Sequence, residues 1–267
     1  MEVKIMPQPV CPGDRSVIFS NLGLLKLINM SRLLIYCCCT LIYFNSVSQR
    51  VIDVDKDEIK PGALNYLYTV AGTPFVNAKF AKLVSGSPFF KDEMLRGAVT
   101  STAGTEYRNV VIRLNLLESE VNYLNDKKQE LIIGTPLREV ILWDTINNKN
   151  HRFIFSEFIE TTDKPEKDFY ELLQTGKAEL YKQHKKIMRE NRPYNSATYE
   201  QTIQTDLRFF VLSGGKWIKL KKLKDLPGIF PDKKEEITKF INDKKLSGDN
   251  EENFKAVIAY YNSLVSS

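Results

Sequence analysis

The sequence predicts an α+β fold: an antiparallel β-meander, as an open sheet or a partly closed barrel, followed by a C-terminal pair of amphipathic helices. Three observations predict it. Between Tyr107 and Ile159 apolar residues recur with period two, the spacing of strands with one buried face. Short stretches rich in Asn, Asp and Gly separate these runs and suit tight antiparallel connections. After Asp232 the period becomes helical, and strands followed by helices argue α+β.

The first 48 residues are read apart from the fold. Met30-Ser31-Arg32 is a short basic start, residues 33–44 are uncharged and mainly apolar, and Ser46-Val47-Ser48 places small residues before Gln49. That is the order of a secretory signal peptide. Twelve residues of helix span only ~18 Å, short of the ~30 Å hydrocarbon core. Two alternatives are a buried core element and an uncleaved anchor extended back through residues 17–28, although Lys26, Asn29 and Arg32 interrupt the latter. The expectation is export with cleavage between Ser48 and Gln49, and residues 1–29 an over-extended start ahead of Met30. All four cysteines (Cys11, Cys37, Cys38, Cys39) precede that site, so the mature chain would hold no disulfide and no thiolate metal site.

From Gln49 the chain divides into a β-rich part, 49–160, and a second part of β-hairpins and an αα-hairpin, 161–267; the two can also form one domain. Residues 53–58 are an acidic lead-in. Val70-Ala71-Gly72-Thr73-Pro74-Phe75 is echoed by Val84-Ser85-Gly86-Ser87-Pro88-Phe89, each a strand end turning through a loop. Two copies are too few for a solenoid.

Val110, Ile112, Leu114 and Leu116 alternate with less apolar neighbours, a half-buried strand. Segments 118–124 and 130–134 flank the loop Asn125-Asp126-Lys127-Lys128. Segments 137–144 and 151–159 flank a turn containing Asn147, Asn148 and Asn150. Beyond a polar break at 161–168, strands are expected over 169–174, 178–188, 207–213 and 216–220, the last two joined by Ser213-Gly214-Gly215. Asp232 with Glu235, and Asp249 with Glu252, have capping-box spacing. They precede helical stripes of Ile237, Phe240 and Ile241, then of Phe254, Val257, Ile258, Tyr261 and Leu264, with the joint at Ser247-Gly248.

Several of these stretches carry a resemblance. The leader pattern, the Gly72-Thr73-Pro74-Phe75 loop, the Tyr107–Asn115 strand, Pro193-Tyr194-Asn195-Ser196-Ala197 and the tail Ala259-Tyr260-Tyr261-Asn262 together resemble uncharacterised exported proteins of the Bacteroidetes. The resemblance implies export to a Gram-negative envelope. It brings no activity and no functional residue.

Catalytic constellations are scarce. The two histidines, His151 and His184, have no second His, Asp or Glu at i+2 to i+4 that would build a metal face, and Glu157 or Asp144 could approach His151 only through strand pairing. Ser85-Gly86-Ser87-Pro88 is not a nucleophile elbow. Gly176-Lys177 resembles the end of a phosphate loop, but Glu171 stands where that loop needs its first glycine. Glu118 and Glu120, read as neighbours on the wet face of one strand, are the carboxylate pair available to glycoside hydrolysis. No cofactor is expected.

Charge is more informative. The whole chain is +5, and residues 177–224 alone are +8. Lys182, Lys185, Lys186, Arg189, Lys219, Lys221 and Lys222, with Tyr194 and Trp217 among them, are the candidate contacts for a polyanion. In an exported protein that partner would be an anionic glycan, a lipid surface or another envelope protein, and nucleic acid only if the chain stays inside. Solvated lysines guarding a sheet edge are the structural alternative. The expected function is therefore non-enzymatic binding or assembly in the envelope, with a carboxylate hydrolase of an envelope polymer as the alternative.

Overall fold

The computed structural model describes residues 51–53, 81–194 and 198–265. The leader, the cleavage site Ser48-Gln49, the first copy of the echo and Asn195-Ser196-Ala197 lie outside the described residues. From Gln49 onward the chain forms one compact unit.

The described strands of that unit form a single open sheet. Its strands are β1 (Val51–Asp53), β2 (Ala81–Ser85), β3 (Leu95–Ser101), β4 (Glu106–Asn115), β5 (Glu120–Leu124), β6 (Glu130–Ile132), β7 (Leu137–Asp144), β8 (Lys149–Phe155), β9 (Phe169–Gln174), β10 (Ala178–Asn191), β11 (Tyr199–Ser213) and β12 (Lys216–Leu220). The order across the sheet is β12-β11-β10-β9-β8-β7-β3-β4-β5-β6. Two antiparallel meanders, β3 to β6 and β7 to β12, are thus sewn together by the pairing of β3 with β7. The expectation of one meander is corrected in that respect, and also in another. β1 adds to β4, and β2 to β11, in parallel, so the sheet is mixed although mostly antiparallel. The two ends of the order do not pair, so the sheet is not closed.

The alternation seen in the sequence sets the burial. Val110, Ile112 and Leu114 of β4 are at most 4% exposed, and they join Val140, Leu142 and Phe153 in one apolar cluster. A second cluster lies under the helices. Leu180 and Val211 of the sheet meet Phe230, Ile237, Phe254, Val257 and Ile258 there. Ile154, Tyr170, Tyr181 and Leu212 make a third on the opposite face.

The helices are α1 (Leu226–Ile229), α2 (Lys234–Asp243) and α3 (Glu251–Val265). α2 and α3 occupy the two expected stripes, whereas α1, a single turn entered through Pro227, was not foreseen. Their caps differ from expectation. Asp232 belongs to a short 3-10 turn and does not cap α2. At α3 the Asn250 side chain accepts the Asn253 N–H at 3.0 Å. Asp249 is drawn away because its Oδ1 accepts the Leu223 N–H at 2.7 Å.

Asn262 fastens α3 to the sheet. Its Oδ1 accepts the Ala178 N–H at 2.8 Å, and its Nδ2 donates to the carbonyls of Ala178 and Thr175 at 2.9 and 3.2 Å. The amide sits so close to Gly176 that a Cβ there would lie 2.3 Å from Nδ2. Gly176-Lys177 is thus the turn between β9 and β10, glycine because a helix residue fills the space a side chain would need.

Candidate functional site

Strand register gathers what sequence spacing left scattered. Pairing sets Leu142 opposite His151, Phe153 opposite Glu171, and Glu171 opposite Lys182. Residues two apart on a strand share a face, so Asp144, His151, Glu171, Lys182 and His184 lie together. Glu171, 2% exposed, is the centre. His151 Nδ1 is 2.6 Å from its Oε1, and His184 Nε2 is 2.7 Å from its Oε2. An ionised carboxylate only accepts, so the ring nitrogen that faces it on each histidine carries the proton. Lys182 Nζ lies 4.0 Å from Glu171 and 2.8 Å from Glu251 at the start of α3. On the other side His151 Nε2 is 4.0 Å from Asp144 Oδ2, which is bound by Lys91. The Phe90 ring meets both imidazoles edge-on at centroid distances of 4.7 and 5.0 Å.

Burial alone would push the Glu171 carboxyl up, but the hydrogen bonds from His151 and His184 outweigh it and hold the group well below the usual carboxylate range. Burial lowers His184, only partly offset by Glu171, so its imidazole is neutral at pH 7. Both shifts act with one sign. The unfolded chain binds more protons than the folded one as pH falls, so stability is present above the ordinary histidine value of 6.5 and is lost below it. The urea midpoint should therefore drop between pH 7 and pH 5, and His184→Gln, which still donates to Glu171, should flatten that part of the curve. An unchanged pH profile in the variant would contradict the neutral buried imidazole.

Among the described residues no group of three His, Cys, Asp or Glu side chains could hold a metal ion. The network is a pin through β8, β9, β10 and α3. Sequence reasoning treated the two histidines separately and passed over Glu171 as a broken phosphate loop.

The basic candidates do not form one patch. Lys182 is taken up inside the pin. Lys185 is 3.2 Å from Glu166 and 3.7 Å from Asp168. The Trp217 ring is stacked on Phe210 at 5.1 Å and packed against Tyr170 and Tyr181, a core position more than a platform. Lys219, Lys221 and Lys222 are exposed at the β12 end of the sheet. Lys186, Arg189 and Tyr194 lie on β10 and the connection that follows it.

That connection belongs to an arm longer than the sequence suggested. β10 and β11 pair without a break from Ala178–Ser213 to Asn191–Glu200, whereas β11 was expected to begin at residue 207. Among the described residues β9 reaches β10 only as far as Lys182, and β2 joins β11 only from Tyr199 to Thr202. Beyond these limits the hairpin is two-stranded. Of nine exposed large apolar residues among those described, seven lie on this arm, its connection or β2: Leu83, Val84, Ile187, Met188, Tyr194, Tyr199 and Leu207. The register puts Lys186, Met188, Tyr199 and Leu207 on one face, and Lys185, Ile187 and Arg189 on the other.

A separate cleft of about 350 Å³ opens where β5 and the residues after β6 meet the Ser156–Phe158 turn. Glu120 lines it. Glu118 does not share a strand face with Glu120, because it lies in the turn before β5. Nor is β5 wet on one side, since Val121, Asn122 and Tyr123 are all buried. Burial first, and the nearby Glu118 second, raise the Glu120 carboxyl. Glu157 lines the same cleft and pairs with Lys167 at 3.4 Å.

No protein-family model matches this chain, and comparisons with curated proteins and with solved structures likewise return no match.

Proposed function

We propose that this chain is an exported, non-enzymatic protein of the cell envelope that works by binding, seating the β10–β11 arm on an anionic lipid surface. The leader pattern before Gln49 supports export. What supports binding is the concentration of exposed apolar side chains on the arm, with Lys186 and Arg189 flanking Ile187 and Met188, one cation on each face. Apolar groups that an isolated fold would leave wet are offset by insertion among lipid, and the cations by anionic head groups. Among the described residues no helix is long and apolar enough to cross a membrane.

Co-sedimentation with vesicles tests this. The protein should pellet with phosphatidylcholine vesicles containing phosphatidylglycerol and far less with phosphatidylcholine alone. Lys186→Gln and Arg189→Gln should each weaken association about fivefold, from roughly 1 kcal/mol per basic residue near an anionic surface. Met188→Ser with Tyr199→Ser should weaken it at every salt concentration. Equal pelleting on both vesicles, or no effect of any substitution, would reject the arm as the contact.

The cleft favours a second reading, a hydrolase of an envelope polymer, because it holds Glu120, raised by burial, together with Glu157. That reading requires release of reducing ends from a glycan and its loss in Glu120→Gln.

A further inference from the structure

The cleft beside Glu120 has features that neither the buried pin nor the arm explains. Its volume, about 350 Å³, is that of a small-ligand site. Its lining is of two kinds. Pro136 and Phe158 give it an apolar side, while Thr102, Thr135 and Glu120 give it hydroxyls and a carboxyl. These three side chains make no hydrogen bond or ion pair with any other described residue. Glu120 and Thr135 are half-buried, yet their side-chain oxygens remain open to solvent. Polar groups in such a position are satisfied by ordered water or by a ligand.

Charge narrows the ligand. Glu118 and Glu120 both bear on the site, so an anion would be repelled. Lys167 does not reverse this, because it sits at the rim, three-quarters exposed and paired with Glu157. A purely apolar ligand would strip water from the carboxyl and the hydroxyls and leave them unpaired, at about 1–3 kcal/mol for each group it buries. A ligand that suits both sides has one face of C–H groups for Phe158 and Pro136 and an edge of hydroxyls for Glu120, Thr102 and Thr135. We infer that the cleft is a binding subsite for a neutral saccharide, one ring laid against Phe158 with its hydroxyls on Glu120 and Thr135. The carboxyl suits the task because it accepts when ionised and can also donate when protonated.

The subsite is independent of the arm and would stand if vesicle binding failed. Isothermal titration with a panel of neutral tri- and tetrasaccharides of glucose, galactose, mannose and N-acetylglucosamine tests it. At least one should bind with a dissociation constant below about 1 mM, the affinity of a site worth roughly 4 kcal/mol. Glu120→Ala and Phe158→Ala should each weaken that binding about tenfold or more. Thr135→Val, which keeps the side-chain shape, should weaken it severalfold, and it serves as the control if Phe158→Ala perturbs the fold. Turnover of the bound saccharide would add chemistry to the same subsite. No binding by any member up to about 10 mM, well above the expected constant, overturns the inference, and so does binding that Glu120→Ala and Thr135→Val leave unchanged.

Discussion

Glu171→Ala should destabilise the protein by about 3–5 kcal/mol, the range for breaking a buried charged network by removing one partner. The reason is the number of groups that depend on this carboxylate. His151 and His184 each donate to one of its oxygens at 2.6 and 2.7 Å, and both rings are largely closed to water, so alanine leaves two buried donors unanswered. Lys182 loses the more deeply buried of its two anions and keeps Glu251. Glu171→Gln should be milder, about 1–2 kcal/mol. Its amide oxygen can accept from one histidine, and its NH2 can donate to the other once that ring shifts its proton. Replacing all three polar groups together, with Glu171→Leu, His151→Phe and His184→Phe, should restore much of what alanine loses, because an apolar set leaves nothing unpaired. Urea denaturation at pH 7.5 is the measurement. An alanine variant within about 1 kcal/mol of the parent, less than one buried unsatisfied group costs, would show that the pin does not hold the three strands.

The pin also shows where sequence reading ends. Alternation along a strand is local, so the buried set of Val110, Ile112 and Leu114 was legible, as were the two helical stripes around Ile237 and Phe254. Which strand lies beside which is not local. His151 and Glu171 are twenty residues apart, and Glu171 and His184 thirteen; only the antiparallel register of β8, β9 and β10 sets them side by side. A polar residue flanked by apolar ones, as Glu171 is by Tyr170 and Leu172, was the available signal, and it was read instead as a defect in a phosphate loop.

The arm was missed for the opposite reason. From Tyr199 to Asp206 only Ile203 is buried and Gln204, Thr205 and Asp206 are exposed in succession, so alternation is lost, yet the stretch holds its ladder through backbone pairing with β10. Among the site candidates, charge and aromatic content were visible, but burial was not. Lys182 and Trp217 looked like Lys219 and Tyr194 in the sequence. They differ only because Glu251 of α3 and the ring of Phe210 stand over them.

The seam between the two meanders gives the other large effect expected. Gly97 of β3 lies between Val110 of β4 and Leu142 of β7, where the β3–β4 ladder shifts register. A Cβ on Gly97 would come within 2.1 Å of the Ile141 carbonyl oxygen and 3.1 Å of Ile112 Cδ1. The first contact is backbone, so no side chain can swing aside; β7 itself would have to retreat from β3. Gly97→Ala should therefore cost about 3 kcal/mol or more, above the usual range for an overpacked core. It should also speed loss of amide protection at Val99 and Val140, which pair across the seam. Gly228→Ala is the matching control, since nothing lies within 4 Å of the position and its backbone is not left-handed. There the methyl should be neutral or stabilise by up to about 1 kcal/mol, by restricting the unfolded chain. If Gly97→Ala is as stable as Gly228→Ala, β3 and β7 do not approach as described, and the two meanders are joined in some other way.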